Sequence, residues 1–243
     1  FLGSLSLDDA SLVMSNWDTL LSATNVTIAG GGVLTCDGPF TNTAMSNRVN
    51  LLCTNLLIET GGAIDVKGKG FSGGINYITY VVSNQYDTNG VLTNTITITN
   101  NFTYQNGHGP SGGSGGAPYG GVAGGFANSS SYRTNTYGSA TAPLDPGSGG
   151  KASSAAPYVG SHGGGAVRIV ADQVVVNGAI NADALISSYE SWDSGGSGGG
   201  VYITCRTITG TNGLISADGS KSSGGGGAGG GGRIAILYDT NAQ

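Results

Sequence analysis

The chain has 243 residues, 47 of them glycine, a formal net charge of −5 and only 9% charged residues. The low charge excludes the high-charge route to disorder, and nine scattered Lys and Arg exclude the basic surface that phosphate neutralisation requires, so an ordered fold is expected and nucleic acid is not an expected partner. Sequence this rich in Gly, Ser, Thr and Asn, without a sustained 3.6-residue apolar period, also excludes helix bundles, and no apolar run is long enough for a transmembrane segment.

The first predicted element is a short strand in which Leu2, Leu5 and Leu7 are interleaved with Gly3, Ser4 and Ser6. Gly32-Val33-Leu34-Thr35-Cys36-Asp37 then opens a turn-and-strand motif that recurs at Gly62–Lys67, Gly178–Asp183 and Gly213–Asp218. An alternating strand precedes three of the copies, at Val49–Cys53, Val167–Ala171 and Val201–Cys205, and a last one runs from Ile234 to Tyr238. Between the paired strands lies a third apolar group: Leu56 and Ile58, Val174 and Val176, or Ile208. Such a unit cannot bury its apolar face alone, whereas stacked copies bury a continuous core. The expected fold is therefore an all-β, right-handed parallel β-helix, a single solenoid over residues 1–243, with Ile169, Ile203 and either Ile234 or Ile236 in one ladder.

Two insertions interrupt the repeat. Residues 75–106 are nearly free of glycine and carry Asn89-Gly90 between β-rich runs, the signature of an inserted β-hairpin. Residues 107–165 form a Gly-rich insertion in which Gly109, Gly112, Gly115, Gly121 and Gly124 keep a period of three. That period predicts packed, polyproline-II-like extended segments, with a flexible linker as the alternative.

Chemistry-bearing residues are few. Cys36, Cys53 and Cys205 alternate with Ala and Val and read as buried free thiols, with a Cys36–Cys53 bridge as the alternative. His108 and His162 have no ligand partner at metal spacing, so no cofactor is expected. Asp183 and Asp218 share a repeat position with Asp37, where Lys67 stands in the second copy. This reads as an outward ladder, with a cation such as Ca²⁺ between the carboxylates as the alternative. The absence of an acid/base cluster argues against an enzyme.

Gly164-Gly165-Ala166-Val167-Arg168-Ile169-Val170-Ala171 and Gly229-Gly230-Gly231-Gly232-Arg233-Ile234-Ala235-Ile236 resemble the glycine-rich β-helix repeats of large bacterial surface and extracellular proteins. The resemblance implies an adhesive or structural role outside the cell and carries no catalytic residue. An extracellular or cell-surface location also fits the scarcity of Lys, the low pI of about 4.7 and a chain opening at Phe1, as after export or trimming. Two functions are expected. One is a filament or surface-matrix subunit that polymerises with copies of itself through Leu2, Leu5 and Leu7 at one end and Ile234, Ile236 and Tyr238 at the other. The alternative is a carbohydrate-binding or polysaccharide-degrading module, with surface glycans meeting Tyr119, Tyr132, Tyr137, Tyr158, Tyr189 and Trp192.

Overall fold

The computed structural model describes residues 2–41, 45–75, 77–79, 83–96, 101–103, 106–111, 115–125, 135–152, 159–186, 193–222 and 226–239. Alternation of apolar with small polar residues produces the strands: Val167 and Ile169 are buried while Arg168 and Val170 between them are partly exposed, the period-2 pattern of a strand with one core face. In chain order, the first six strands are β1 (Leu2–Leu7), β2 (Ser11–Met14), β3 (Leu21–Ile28), β4 (Val33–Cys36), β5 (Val49–Ile58) and β6 (Ala63–Asp65). The insertion contributes β7 (Tyr77–Thr79), β8 (Ser83–Tyr86), β9 (Leu92–Ile96) and β10 (Asn101–Thr103). The chain resumes with β11 (Ala166–Val170), β12 (Gln173–Val176), β13 (Ala179–Asn181), β14 (Gly200–Thr204), β15 (Thr207–Thr209), β16 (Leu214–Ser216) and β17 (Arg233–Leu237).

These strands correct the expectation of a right-handed parallel β-helix. Instead of a solenoid of three-strand coils, the described residues form two parallel sheets, one of eight strands and one of five, with no helix. The eight-stranded sheet has the order β1-β3-β5-β11-β14-β17, with β12 between β5 and β15; the five-stranded sheet has the order β16-β13-β6-β4-β2. The expected third strand has no separate sheet, because Leu56 and Ile58 continue the strand of Val49–Cys53 as the ten-residue β5. Further along, β11 and β12 both pair with β5, one after the other. Parallel sheets of this extent are characteristic of α/β folds, which cross between strands with helices. Here the described crossovers are turns and glycine-rich segments.

Register is continuous across the sheets. One row runs Leu21, Leu51, Ile169, Ile203, Ile236; a second runs Leu5, Val26, Leu56, Val174, Ile208. In the five-stranded sheet the matching row is Leu12, Leu34, Ile64, Ile180, Ile215. The inner members of all three rows are buried in one apolar core shared by both sheets.

The glycine-rich segments are tied together by backbone hydrogen bonds that join distant parts of the chain. Gly70 donates to Gly163 O, Gly164 to Ser197 O, Gly195 to Gly227 O and Gly198 to Gly230 O, at 2.8–3.1 Å. Glycine is required here for space. A Cβ on Gly199 would lie 1.8 Å from Gly165 O, and one on Gly164 would lie 1.9 Å from Ala182 O. A buried polar chain pins the neighbouring loops: Tyr137 donates to Pro146 O at 2.7 Å and accepts from Ser148 Oγ, while Ser111 Oγ lies 3.1 Å from Ser148 Oγ. In the insertion β8 pairs antiparallel with β9 and β7 with β10. Asn89-Gly90 sits in the β8–β9 turn, where Gly90 has φ +77° and the Asp87 carboxylate accepts from Asn89 and Val91 N–H. Period-three positions Gly112 and Tyr132, Tyr158, Tyr189 and Trp192 lie outside the described residues.

Candidate functional site

The residues singled out at the two chain ends occupy the two opposite edges of the larger sheet. Leu2, Leu5 and Leu7 are on β1, the first strand of its order, and Ile234 and Ile236 are on β17, the last, with Tyr238 just beyond. The smaller sheet ends at the same places: β2 adjoins the β1 edge in sequence, and β16 shares the other end with β15 and β17. Among the described residues no strand pairs with the outer edges of β1, β2, β15, β16 or β17, and the Asp239 N–H reaches Arg206 O at 3.2 Å just before β15.

Both edges are apolar as well as unpaired. Leu7 and Met14 are buried, and Leu5 and Leu12 pack against the core with one side open. At the opposite end Ile208, Ile215 and Ile236 are in the same half-covered state. Leu2 keeps 49% of its surface exposed and Leu214 58%. Backbone direction is set by bonds already made. Leu7 O accepts from Ala29, and Met14 O accepts from Asp37, so alternation turns the N–H and C=O of Ser4, Ser6, Ser11 and Val13 outward. At the other edge Thr207 donates to Asp172 O and Leu214 to Gly178 O, which turns the corresponding groups of Ile208 and Ile215 outward. A side-chain ladder reaches the β1 edge on the outer surface: Asn55 donates to Asn25 Oδ1 at 2.8 Å, and Asn25 donates to Ser4 Oγ at 3.3 Å.

The other sequence candidates are not brought to these edges as a group. Cys36, Cys53 and Cys205 are free and buried. Burial pushes the Cys36 thiol up to about 12 and the Cys53 thiol up to about 11. His162 is half-buried in the glycine network, where its Nδ1 accepts the Gly73 N–H at 3.0 Å and burial lowers its pKa. His108 joins the network through its backbone, donating to Ser72 O and accepting from Gly149. Asp183 and Asp218 lie side by side, with Asp183 Oδ1 accepting the Asp218 N–H at 2.7 Å. They line an open depression of about 380 Å³ with Lys67 and Lys221. Among the described residues no three His, Cys, Asp or Glu converge as a metal group. Of the aromatics expected to form a sugar platform, Tyr119 is fully buried against Tyr137, with ring centroids 4.6 Å apart, so it serves packing. Arg206 and Asp172 make an exposed bidentate pair at 2.7 and 2.9 Å near the β15 edge.

Leu12 on β2 and Leu21 on β3 were missing from the expected interface. Ser11-Leu12-Val13-Met14 lacks the glycine entry of the other copies and has three apolar residues in a row, so only the short apolar run could have revealed it. Among the described residues no helix is long and apolar enough to cross a membrane. No family model, curated protein or solved structure matches this chain.

Proposed function

We propose that the protein is an extracellular structural subunit that polymerises end to end, each copy adding its strands to the sheet edges of the next. The observation that carries this reading is that, among the described residues, β1 and β17 are the two unpaired edges of one sheet whose ladder is parallel throughout. A parallel sheet with open edges at both ends offers a donor and an acceptor of the same polarity, so one copy can continue the ladder of another. A heterologous contact of this kind repeats without closing and yields a filament. The half-covered core residues at each end supply apolar surface that only a stacked neighbour removes from water. The role is one of assembly, without catalysis or a bound cofactor.

Sedimentation and electron microscopy of the purified chain test the proposal. Concentration-dependent growth into unbranched filaments is expected, and Ser6→Pro should suppress it. The Ser6 N–H points away from β3, so proline removes a donor needed only by an added strand. A chain that stays monomeric at high concentration, or a Ser6→Pro variant that assembles as well as the parent, contradicts the proposal.

A further inference from the structure

Two arginines stand close together on the outward face of the larger sheet, at its inner strands. Alternation puts Val49 and Leu51 of β5 and Val167 and Ile169 of β11 in the core, so Arg48, Asn50 and Arg168 fall on the other side. Register pairs Arg168 with Asn50 on one flank and with Tyr202 of β14 on the other, which makes Asn50, Arg168 and Tyr202 one outward row. Arg48 comes two positions before Asn50, about 7 Å along an extended chain. Arg48, Arg168, Tyr202 and the nearby Trp17 are all half-buried.

Both guanidiniums are fixed by the protein, and neither is satisfied by it. Arg48 donates from Nε to Trp17 O at 2.8 Å, and its Cζ lies 4.6 Å from the centroid of the Trp17 ring, which leaves the Nη1/Nη2 fork. Arg168 donates from Nη1 to Asn50 Oδ1 at 3.0 Å, which leaves the Nε/Nη2 edge. Asn50 is only 5% exposed, and its Nδ2 has no acceptor among the described residues. Among the described residues neither arginine forms an ion pair. Burial lowers the Arg48 pKa, the Arg168 charge lowers it further, and the opposing charge of Asp18 has the smallest effect of the three. Two like charges brought together on a partly desolvated face repel, and an anion between them removes the repulsion.

We propose that this patch binds the carboxylate of an acidic polysaccharide, held between the Arg48 and Arg168 guanidiniums with the Asn50 amide as a further donor and the sugar ring against Tyr202. A planar carboxylate accepts two parallel bonds from a guanidinium edge, and each arginine keeps one such edge. Tyr202, next to Arg168 in the row, supplies an apolar ring with a polar tip. A chain of net charge −5 does not hold a densely charged polyanion by its overall field, so two arginines suit a single acidic sugar better than a run of phosphates. The site belongs to one copy and lies on a sheet face, so it does not depend on end-to-end assembly.

Isothermal titration calorimetry of the full chain tests the site. The probes are hexagalacturonate and a hyaluronan hexamer as carboxylate glycans, methyl-esterified hexagalacturonate as the uncharged counterpart, and sodium phosphate. At least one acidic oligosaccharide should bind, more weakly as NaCl is added, and neither the ester nor phosphate should match it. Arg48→Gln and Arg168→Gln should each lower that affinity about tenfold or more, the loss expected of a charge-assisted bond. Arg168→Lys keeps the charge without the fork and should also weaken binding, whereas Lys67→Gln, which removes a charge from the smaller sheet, should leave it unchanged. Thermal unfolding like that of the parent qualifies each variant, and Arg168→Lys decides if neither glutamine variant folds. Binding by neither acidic oligosaccharide, equal binding of the ester or of phosphate, undiminished binding by the Arg168 variants, or equal loss in Lys67→Gln overturns the site. Filament formation is read separately, so any of these results leaves the end-to-end reading standing.

Discussion

Replacing Gly199 by alanine is the sharpest perturbation of the glycine network, and Gly231 supplies its internal control. A Cβ on Gly199 would sit 1.8 Å from Gly165 O and 2.7 Å from the Gly164 carbonyl carbon, both backbone atoms with no side-chain freedom to yield. Gly199 is held on both sides, donating to Ala182 O at 2.8 Å and accepting from Arg233 at 3.0 Å, so relief requires parting segments joined by those bonds. Overpacking of this kind costs about 1–3 kcal/mol, and the lost freedom of the unfolded chain returns only about 0.4–1 kcal/mol. A Cβ on Gly231 meets nothing nearer than Ala217 O at 4.0 Å, so Gly231→Ala keeps the unfolded-state gain of about 0.4–1 kcal/mol without the clash. At about 2–4 °C per kcal/mol for a chain of this size, the two variants should bracket the parent in thermal unfolding followed by circular dichroism, Gly199→Ala several degrees below and Gly231→Ala level or slightly above. A Gly199→Ala midpoint at or above that of the parent, or equal damage from Gly231→Ala, would refute the close backbone packing.

Ile203 is fully buried in the row between Ile169 and Ile236, so Ile203→Ala should lower unfolding stability in urea by about 2–5 kcal/mol, whereas Thr204→Ala next to it, on the outward side, should cost under about 1 kcal/mol. Burial lowers the pKa of His162, and its Nδ1 must be unprotonated to accept from Gly73, so the unfolded chain binds the extra proton first. Stability is then complete above the ordinary histidine value of 6.5 and falls as pH drops through the lower folded value; urea unfolding at pH 7.5 and 5 should show this loss in the parent and a smaller one in His162→Phe. The Cys36 thiol is raised from 9.0 to about 12, so its contribution is complete below pH 9 and is lost as pH rises toward 12; iodoacetamide at pH 9 should label it in urea and spare it in the folded chain.

The sequence was most informative where alternation and offset agree. Val167, Val201 and Ile234 were aligned by their spacing alone, and the structure puts them in one row. What it left open was where one strand ends and the next begins. Asn55 is a turn former between Val49–Cys53 and Leu56–Ile58, yet β5 runs through it as one ten-residue strand, and the expected coil of three strands became two parallel sheets. Recurrent glycine marked the close-packed segments, but which carbonyl each would meet depends on contacts such as Gly73 with Gly160, 87 positions away. Tyr119 was misread as an exposed aromatic because flanking Gly and Pro look like surface loop, while the chain folds it beneath Tyr137. Leu2, Leu5, Leu7, Ile234 and Ile236 were singled out from their patterning, whereas their places on opposite edges of one sheet emerge only from strand pairing.

The axial repeat of the assembled filament, measured by helical reconstruction from electron micrographs, tests the central claim most directly. The larger sheet has six strand positions from β1 to β17. Copies that meet at these edges advance the filament by no more than six strand spacings each, about 29 Å. A repeat of no more than about 29 Å with unbroken strand-spaced density through the larger sheet is the expected result. Absence of filaments, or a filament whose copies meet through any surface other than these sheet edges, would contradict the account.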